Sequence, residues 1–169
     1  MNKQPQSQNA LLERALVVLL ALASIAPAVH AFQSRAESKA QESEALCRPA
    51  QTAADCAVTI NNQGSAYFAS AKYQDAGRMF TLAISLWSSE PAVSDDLAKA
   101  YRNLGAVYRI EEKYSDAAHC FLRALDVRES LQGQGDVSLL PILNDLGRLY
   151  LEMGESRQAQ NTLRRAMAI

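Results

Sequence analysis

The residues of this sequence best suited to catalysis are His119 and Cys120, because a cysteine thiol deprotonated by a histidine imidazole is a common nucleophile. The two residues are consecutive, and consecutive side chains on a helix point about 100° apart around its axis. They therefore cannot act on each other as nucleophile and base without further partners. The sequence also has no glycine-rich phosphate loop, no paired-cysteine motif and no Ser/His/Asp context. We expect no enzymatic activity and no cofactor.

Cysteines could also bind a metal ion or form a disulfide. Three scattered cysteines and two histidines lack the ligand spacing of zinc sites, so no metal site is expected. Cys47 and Cys56 flank a turn-like segment that a disulfide could close. Two unpaired thiols in a flexible leader are the alternative, and the sequence leaves both open. Cys120 falls on an apolar helical face and is predicted to be a small buried residue.

Composition and charge limit the class of protein and of partner. The 169 residues fit one domain, and an apolar content of 49% is ample for a packed core. Abundant alanine and leucine, with only 7% aromatic residues, favour helices over sheets. A net charge of -1 and the lack of a Lys/Arg-rich run give no attraction to phosphate backbones. We expect no nucleic-acid partner.

Residues 1–31 are predicted to be a signal peptide. Lys3 and Arg14 precede an apolar run at residues 15–26, and Val29 and Ala31 suit the subsites of a signal peptidase. The apolar run spans roughly 18 Å, well short of the ~30 Å hydrocarbon core of a bilayer. We therefore expect cleavage before Phe32, no stable membrane span, and a periplasmic or secreted protein. An uncleaved signal anchor that tethers the protein to a membrane is the alternative.

The elements that position the remaining residues come from an internal repeat. Gly64, Gly105 and Gly147 recur at intervals of 41 and 42 residues, and a tyrosine follows each glycine three positions later. An alanine, a large apolar residue and a second alanine then recur at fixed offsets: Ala76, Phe80 and Ala83; Ala117, Phe121 and Ala124; Ala159, Leu163 and Ala166. Glycine inside a helix costs about 1 kcal/mol relative to alanine, so three such glycines indicate close helix packing. The alanines are predicted to form a smooth stripe on the facing helix.

This pattern resembles the tetratricopeptide-repeat (TPR) family of helix-turn-helix units, and its long intervals are similar to the kinesin-light-chain type of repeat. The resemblance implies an all-α fold, a right-handed α-solenoid of three helix pairs. The repeats are assigned to residues 57–169, as units 57–90, 98–131 and 140–169. Residues 32–56 form a leader that either adds a helix or stays disordered. Helices are predicted at residues 57–70, 73–88, 95–110, 114–131, 138–152 and 155–169, with Pro91, Gly133 and Gly135 in the connections.

The same resemblance implies that a peptide or a partner helix binds in the concave groove lined by the first helix of each pair. Ten residues are predicted to form this groove: Asn61, Asn62, Ser65, Phe68, Lys99, Arg102, Asn103, Arg109, Asn144 and Arg148. Asparagine recurs at two groove positions, where an amide can pair with a peptide backbone of any sequence. Ordinary polar residues on an exposed helix face are the alternative. The four cations of the set would favour an acidic partner.

Self-assembly through the C-terminal helix is the second functional hypothesis. Thr162 and Arg164 make the outer face of this helix partly polar, as expected of a terminal repeat. Met167 and Ile169 nevertheless follow with no further covering helix. The chain is therefore expected to be a protein-binding scaffold, with a homo-oligomer as the alternative.

Overall fold

Six α-helices in three consecutive pairs make up this computed structural model, which describes residues 46–47, 52–87 and 94–169. The helices are α1 (Ala53–Ala69), α2 (Tyr73–Trp87), α3 (Asp95–Ile110), α4 (Tyr114–Gln132), α5 (Leu140–Glu152) and α6 (Ser156–Ala168). Each helix packs mainly against its neighbours in the chain, so that the pairs α1/α2, α3/α4 and α5/α6 stack in sequence order. The predicted signal peptide, most of the leader and the connection around Pro91 lie outside the described residues.

Hydroxyl side chains fix the starts of two first helices. The backbone N–H of Asp55 donates to Thr52 Oγ1 over 3.1 Å, and the N–H of Leu97 donates to Ser94 Oγ over 3.2 Å. The Thr52 cap makes α1 begin at Ala53, four residues before the predicted start. The first helix therefore extends four residues into the segment predicted as leader.

A repeated turn joins the two helices of each pair. A backbone N–H after the turn donates to the carbonyl oxygen of the repeated tyrosine: Lys72 to Tyr67 at 2.9 Å, Lys113 to Tyr108 at 2.8 Å, and Glu155 to Tyr150 at 2.8 Å. The residue before each donor is left-handed, with φ of 58° at Ala71, 59° at Glu112 and 76° at Gly154. The turns therefore lie at the same position in all three pairs, as the repeat predicts.

The third pair is entered through a short 3-10 turn, Val137–Leu139, rather than directly by an α-helix from residue 138. Asp136 Oδ1 accepts from the backbone N–H of Ser138 over 2.8 Å, which starts the 3-10 turn. Pro141 lies in the first turn of α5, where backbone N–H groups have no intrahelical acceptor, so proline loses no hydrogen bond by lacking an N–H. These two residues shift the start of the α-helix to Leu140.

The repeated glycines lie directly beneath the large apolar residues of the second helices. A Cβ added at Gly64 would come within 2.8 Å of Phe80, one at Gly105 within 2.8 Å of Phe121, and one at Gly147 within 2.6 Å of Leu163. The predicted close contact between the two helices of each pair is present. The side chain that faces the glycine is a phenylalanine or leucine, however, and not one of the repeated alanines. The alanines of the first two repeats are fully buried beside these contacts.

The described part of the leader is attached to the first pair. Leu46 and Cys47 pack against a buried cluster that includes Ile60 and Trp87. Cys47 is paired with Cys56 as a disulfide, with their Cα atoms 5.4 Å apart. The N-terminal edge of the first repeat is therefore covered by its own chain.

Candidate functional site

A groove of about 420 Å³ runs between the first helices of successive pairs. Its walls come from α1, α3, α4 and the start of the third pair. The lining residues are Asn61, Asn62, Ser65, Ala98, Lys99, Arg102, Asn103, Arg128, Ser138, Pro141 and Ile142. Amide, hydroxyl and cationic side chains dominate this lining. The groove is therefore a polar surface that can donate and accept hydrogen bonds.

Six of the ten predicted site residues line this groove, and all six come from the first two pairs. They are Asn61, Asn62, Ser65, Lys99, Arg102 and Asn103. The repeat spacing accounts for their common location, because residues at the same position of successive first helices face the same side of the stack.

Asn61 differs from the other asparagines of the groove in being buried. Only 8% of its surface is exposed, and its amide oxygen Oδ1 has no hydrogen-bond partner among the described residues. A buried acceptor without a partner carries a free-energy penalty unless a donor reaches it. Asn61 Oδ1 is thus a buried acceptor in the wall of the groove, closed to solvent.

Arg128 supplies an unpartnered donor in the same groove. It reaches the groove from α4, and its side chain is only 14% exposed. One terminal nitrogen lies 2.9 Å from Asp95 Oδ1, whereas Nε has no partner among the described residues. The wall of the groove therefore holds a buried acceptor on α1 and a buried donor on α4, neither of which has a partner among the described residues.

The cations of the groove are paired with carboxylates of the same chain. Lys99 Nζ lies 3.0 Å from both Asp95 Oδ2 and Asp96 Oδ1, and these hydrogen bonds, that to Asp95 first, raise the pKa of the lysine. Arg102 Nε lies 2.6 Å from Asp145 Oδ2. Because each cation has a nearby carboxylate, the positive bias predicted from the sequence is largely cancelled.

The other four predicted residues do not line the groove. The Phe68 ring packs edge-on against Tyr73, with ring centroids 5.5 Å apart. Arg109 pairs with Glu152 over 2.9 Å, and Arg148 pairs with Asp145 over 2.7 Å. Asn144 is exposed on α5 and is not among the lining residues. The ion pairs Arg102–Asp145 and Arg109–Glu152 each span 43 residues, so both connect the second pair of helices to the third.

Besides Ala98 on α3, sequence reasoning missed four lining residues, Arg128, Ser138, Pro141 and Ile142. Arg128 lies on a second helix, which the repeat pattern assigns to the opposite side of the stack. Its long side chain extends to Asp95 on α3, and the repeat spacing does not predict this contact. The other three belong to the connection and first turn of the third pair, where the 3-10 turn sets their position.

The Cys120 thiol is buried between the first and second pairs, in a cluster with Phe80 and Leu104. Burial, and then the charge of Asp116, raises the pKa of Cys120 to about 11. The thiol therefore stays protonated, and hence a poor nucleophile, at neutral pH. His119 is exposed on the neighbouring face of α4. Within the described ranges, no three His, Cys, Asp or Glu side chains come together as a metal site.

Comparison with known proteins is consistent with this geometry. A family model described as tetratricopeptide repeat matches residues 55–130 and 96–169. No curated protein matches the chain by sequence at a significant level. None of the described helices combines the length and apolar character needed to cross a bilayer.

Several solved structures share the fold. The crystal structure of BtubC (BKLC) from P. vanneervenii aligns with a TM-score of 0.70 and 22% identity, covering 80% of this chain and 55% of that one. A putative kinesin light chain from Podosopora anserina with nearly identical TPR-like repeats aligns with a TM-score of 0.62 and 15% identity, covering 80% and 65%. The N-terminal domain of stress-induced protein-1 from C. elegans aligns with a TM-score of 0.59 and 18% identity, covering 70% and 87%. The chain thus spans about half the length of BtubC, and these likenesses confirm the predicted all-α solenoid.

Proposed function

The chain belongs to the tetratricopeptide-repeat family, and from this membership we propose that it is a non-catalytic scaffold that binds an extended peptide segment of another protein. The TPR fold generally serves protein–protein interaction, and members of the family are typically not enzymes. For this chain, we place the binding site in the groove between the first and second repeats. The observation that carries the proposal is the polar lining of that groove, in which Asn62 and Ser65 are exposed.

An extended peptide has the chemistry that such a lining requires. It presents an N–H donor and a C=O acceptor at nearly every residue, whatever its side chains. Asn62, Ser65 and Asn103 add amide and hydroxyl groups that can take either role. A volume of about 420 Å³ is within the usual range for a binding site of a few residues.

Recognition of an acidic segment has less support than the sequence alone suggested. An incoming carboxylate would have to compete with Asp95, Asp96 and Asp145 for cations that are already paired. Exposed pairs of this kind contribute only about 0–1 kcal/mol each, so an acidic residue would gain little by replacing one. We therefore propose that main-chain contacts dominate the affinity and that partner charge is secondary.

A peptide-display selection tests the proposed function. Twelve-residue peptides selected on the protein purified after export would be synthesised, and their Kd measured by calorimetry. We expect Asn62→Trp, which fills the groove, to weaken binding at least about tenfold. Asn144→Trp is the matched control, because Asn144 is exposed on a first helix outside the groove. Equal binding by both variants would place the site elsewhere and refute the proposal.

The compartment in which binding takes place is also a proposal. We propose export through the N-terminal signal sequence, since Lys3, Arg14 and the apolar run have the order that signal peptides share. N-terminal sequencing of the protein recovered from the exported fraction should begin near Phe32. Recovery of the intact N-terminus in the membrane fraction would favour a signal anchor instead.

Self-assembly through α6 is the second candidate function. Met167 on this helix is 80% exposed, and Ala159 is the one buried residue of α6. Light scattering after size exclusion would detect an oligomer that Met167→Glu dissociates. A monomer at high concentration in the unaltered protein would remove this candidate.

A further inference from the structure

The helix pairs stack through one repeated contact, in which the second helix of a pair packs against the first helix of the next pair. Between the second and third pairs, Leu125 of α4 shares a buried cluster with Leu139 and Leu143 of the third pair. The repeat places Met167 of α6 at the position of Leu125, 42 residues later. Leu125 is 7% exposed, whereas Met167 is 80% exposed. The last helix therefore carries the apolar half of the stacking contact without a following pair in the described chain to bury it.

The first helix, α1, carries the other half of the same contact. Cys56 and Ile60 occupy in α1 the positions that the two leucines occupy in the third pair. Both residues are buried, although the repeat pattern begins with this helix. Leu46 and Cys47 pack against the cluster that contains them, and Cys47 is joined to Cys56 by the disulfide. The end of the leader therefore covers the edge of the first repeat.

The leader end lies in the register of the repeat. Leu46 precedes Trp87 by 41 residues, the interval that also separates Cys56 from Leu97. Trp87 is the last residue of α2 and shares a buried cluster with Leu97 at the start of the second pair. Leu46 packs against this cluster beside Cys56. The leader end is therefore the counterpart of the end of a second helix, and the disulfide attaches it there.

We propose that the edge of the first repeat is a docking surface for α6 of a second copy of this chain, and that the Cys47–Cys56 disulfide closes it by holding the leader end in place. When the bridge is open, α6 of one copy packs against α1 of the next, as α4 packs against α5 within the chain. The contact joins two different surfaces, so it does not close on itself and extends from copy to copy. This inference goes beyond peptide binding and gives the second candidate function an acceptor surface and a control.

Charge complementarity favours a second copy as the occupant. Helix α6 contains three arginines and no acidic residue, and Arg157 and Arg164 among them are exposed. Helix α1 contains one acidic residue, the exposed Asp55, and no cation. A contact between α6 and α1 therefore brings opposite charges together, whereas a contact between two α6 helices brings arginines of both copies together.

A dithiol is the class of reductant that opens the bridge. One thiolate of the dithiol attacks the sulfur of Cys47, the less buried of the two cysteines, and the electron pair of the S–S bond leaves on the sulfur of Cys56. The second thiol of the dithiol then attacks the mixed disulfide, releases Cys47 and closes a disulfide within the reductant. Two electrons and two protons thus pass from the dithiol to the two cysteines.

Sedimentation velocity of the protein purified after export, over a concentration series, tests the inference. With the bridge intact, the mass should not exceed that of a dimer, because a contact between two α6 helices closes on itself. After reduction with dithiothreitol, the mass should rise with concentration to at least about four protomers. Met167→Glu should abolish this growth. Leu122→Glu is the matched control and should retain it, because Leu122 is an exposed apolar residue of α4, 41% exposed, and does not belong to the last helix.

A variant without the bridge tests the surface in the absence of a reductant. Cys47→Ala combined with Cys56→Leu places at the edge of α1 the residue that Leu97 and Leu139 provide at the equivalent positions of the other repeats. This variant should grow beyond a dimer without dithiothreitol, and circular dichroism should show it to be folded. If reduction unfolds the unaltered protein, this variant alone decides.

Three results would overturn the inference. The first is a folded sample with an open bridge that never exceeds a dimer. The second is equal growth of the oxidised and the reduced protein, because the bridge would then control nothing. The third is a dimer that Met167→Glu dissociates and reduction leaves unchanged, which would support the second candidate function alone. None of these results bears on peptide binding, which Asn62→Trp tests separately.

Discussion

Replacing Gly105 by alanine should destabilise the protein, although alanine is the better helix former. A Cβ at this position would lie 2.8 Å from two ring carbons of Phe121, which is fully buried and has no room to turn aside. Overpacking of a core costs about 1–3 kcal/mol, and a contact below 3 Å to a fixed ring belongs at the upper end. The better helix propensity of alanine returns about 1 kcal/mol. We expect the free energy of unfolding to fall by about 2 kcal/mol.

Gly77 provides the matched control for this substitution. It is also a helical glycine, but a Cβ there would first meet Val107 at 3.4 Å, an ordinary contact distance. Gly77→Ala should therefore keep the propensity gain and stabilise the protein by about 0.5–1 kcal/mol. Urea denaturation followed by circular dichroism measures both variants. Equal stability of Gly105→Ala and Gly77→Ala would refute the close-packing role of the repeated glycine.

The remaining predictions concern the turn, the disulfide and the buried thiol. Ala71→Gly should raise the free energy of unfolding by about 0.5–1 kcal/mol, because a left-handed backbone strains alanine, and Gly154→Ala should lower it; opposite signs in urea denaturation would contradict this. Reduction of the Cys47–Cys56 bridge should cost about 2.7 kcal/mol, the loop-closure value for its length, and mass spectrometry of the unreduced protein should show the linked peptides. Cys120 should react slowly with thiol reagents at pH 8, because its thiol is buried. Burial also raises the pKa of this thiol from 9.0 to about 11, so the stability that the protonated thiol contributes is present below pH 9 and is lost as the pH rises from 9 to 11. Labelling at the rate of an exposed cysteine would contradict the burial.

The fold could be predicted because its cause is local and repeated. Glycine, tyrosine and alanine at fixed offsets define one helix pair, and the same offsets recur in the next two. The predicted helices agree with the structure to within a few residues. The largest difference is the start of α1, where Thr52 and Asp55 cap the helix inside the segment between Cys47 and Cys56 that the sequence indicates is turn-like. A threonine followed three residues later by an acidic residue is a capping pattern, so this start could have been found.

The lining of the candidate groove could be predicted only in part. The positions on the first helices follow from the repeat, but the side chains that these residues contact do not. Asn61 and Arg102 are equivalent by spacing, yet Asn61 Oδ1 has no partner among the described residues and Arg102 is paired with Asp145. That difference depends on which side chain the next repeat presents 43 residues later and on its rotamer. Arg128 reaches the groove from the other layer of helices. Contacts of this kind belong to the packed structure and leave no periodic trace in the sequence.

The central claim, that the groove between the first two repeats binds a peptide, is tested most directly by NMR. Amide resonances of the labelled protein would be followed as a display-selected peptide is added. We expect the largest shifts along α1 and α3 near Asn61 and Asn103, with further shifts around Arg128. Shifts confined to α6 around Met167, or to the outer faces of α2 and α4, would contradict the claim.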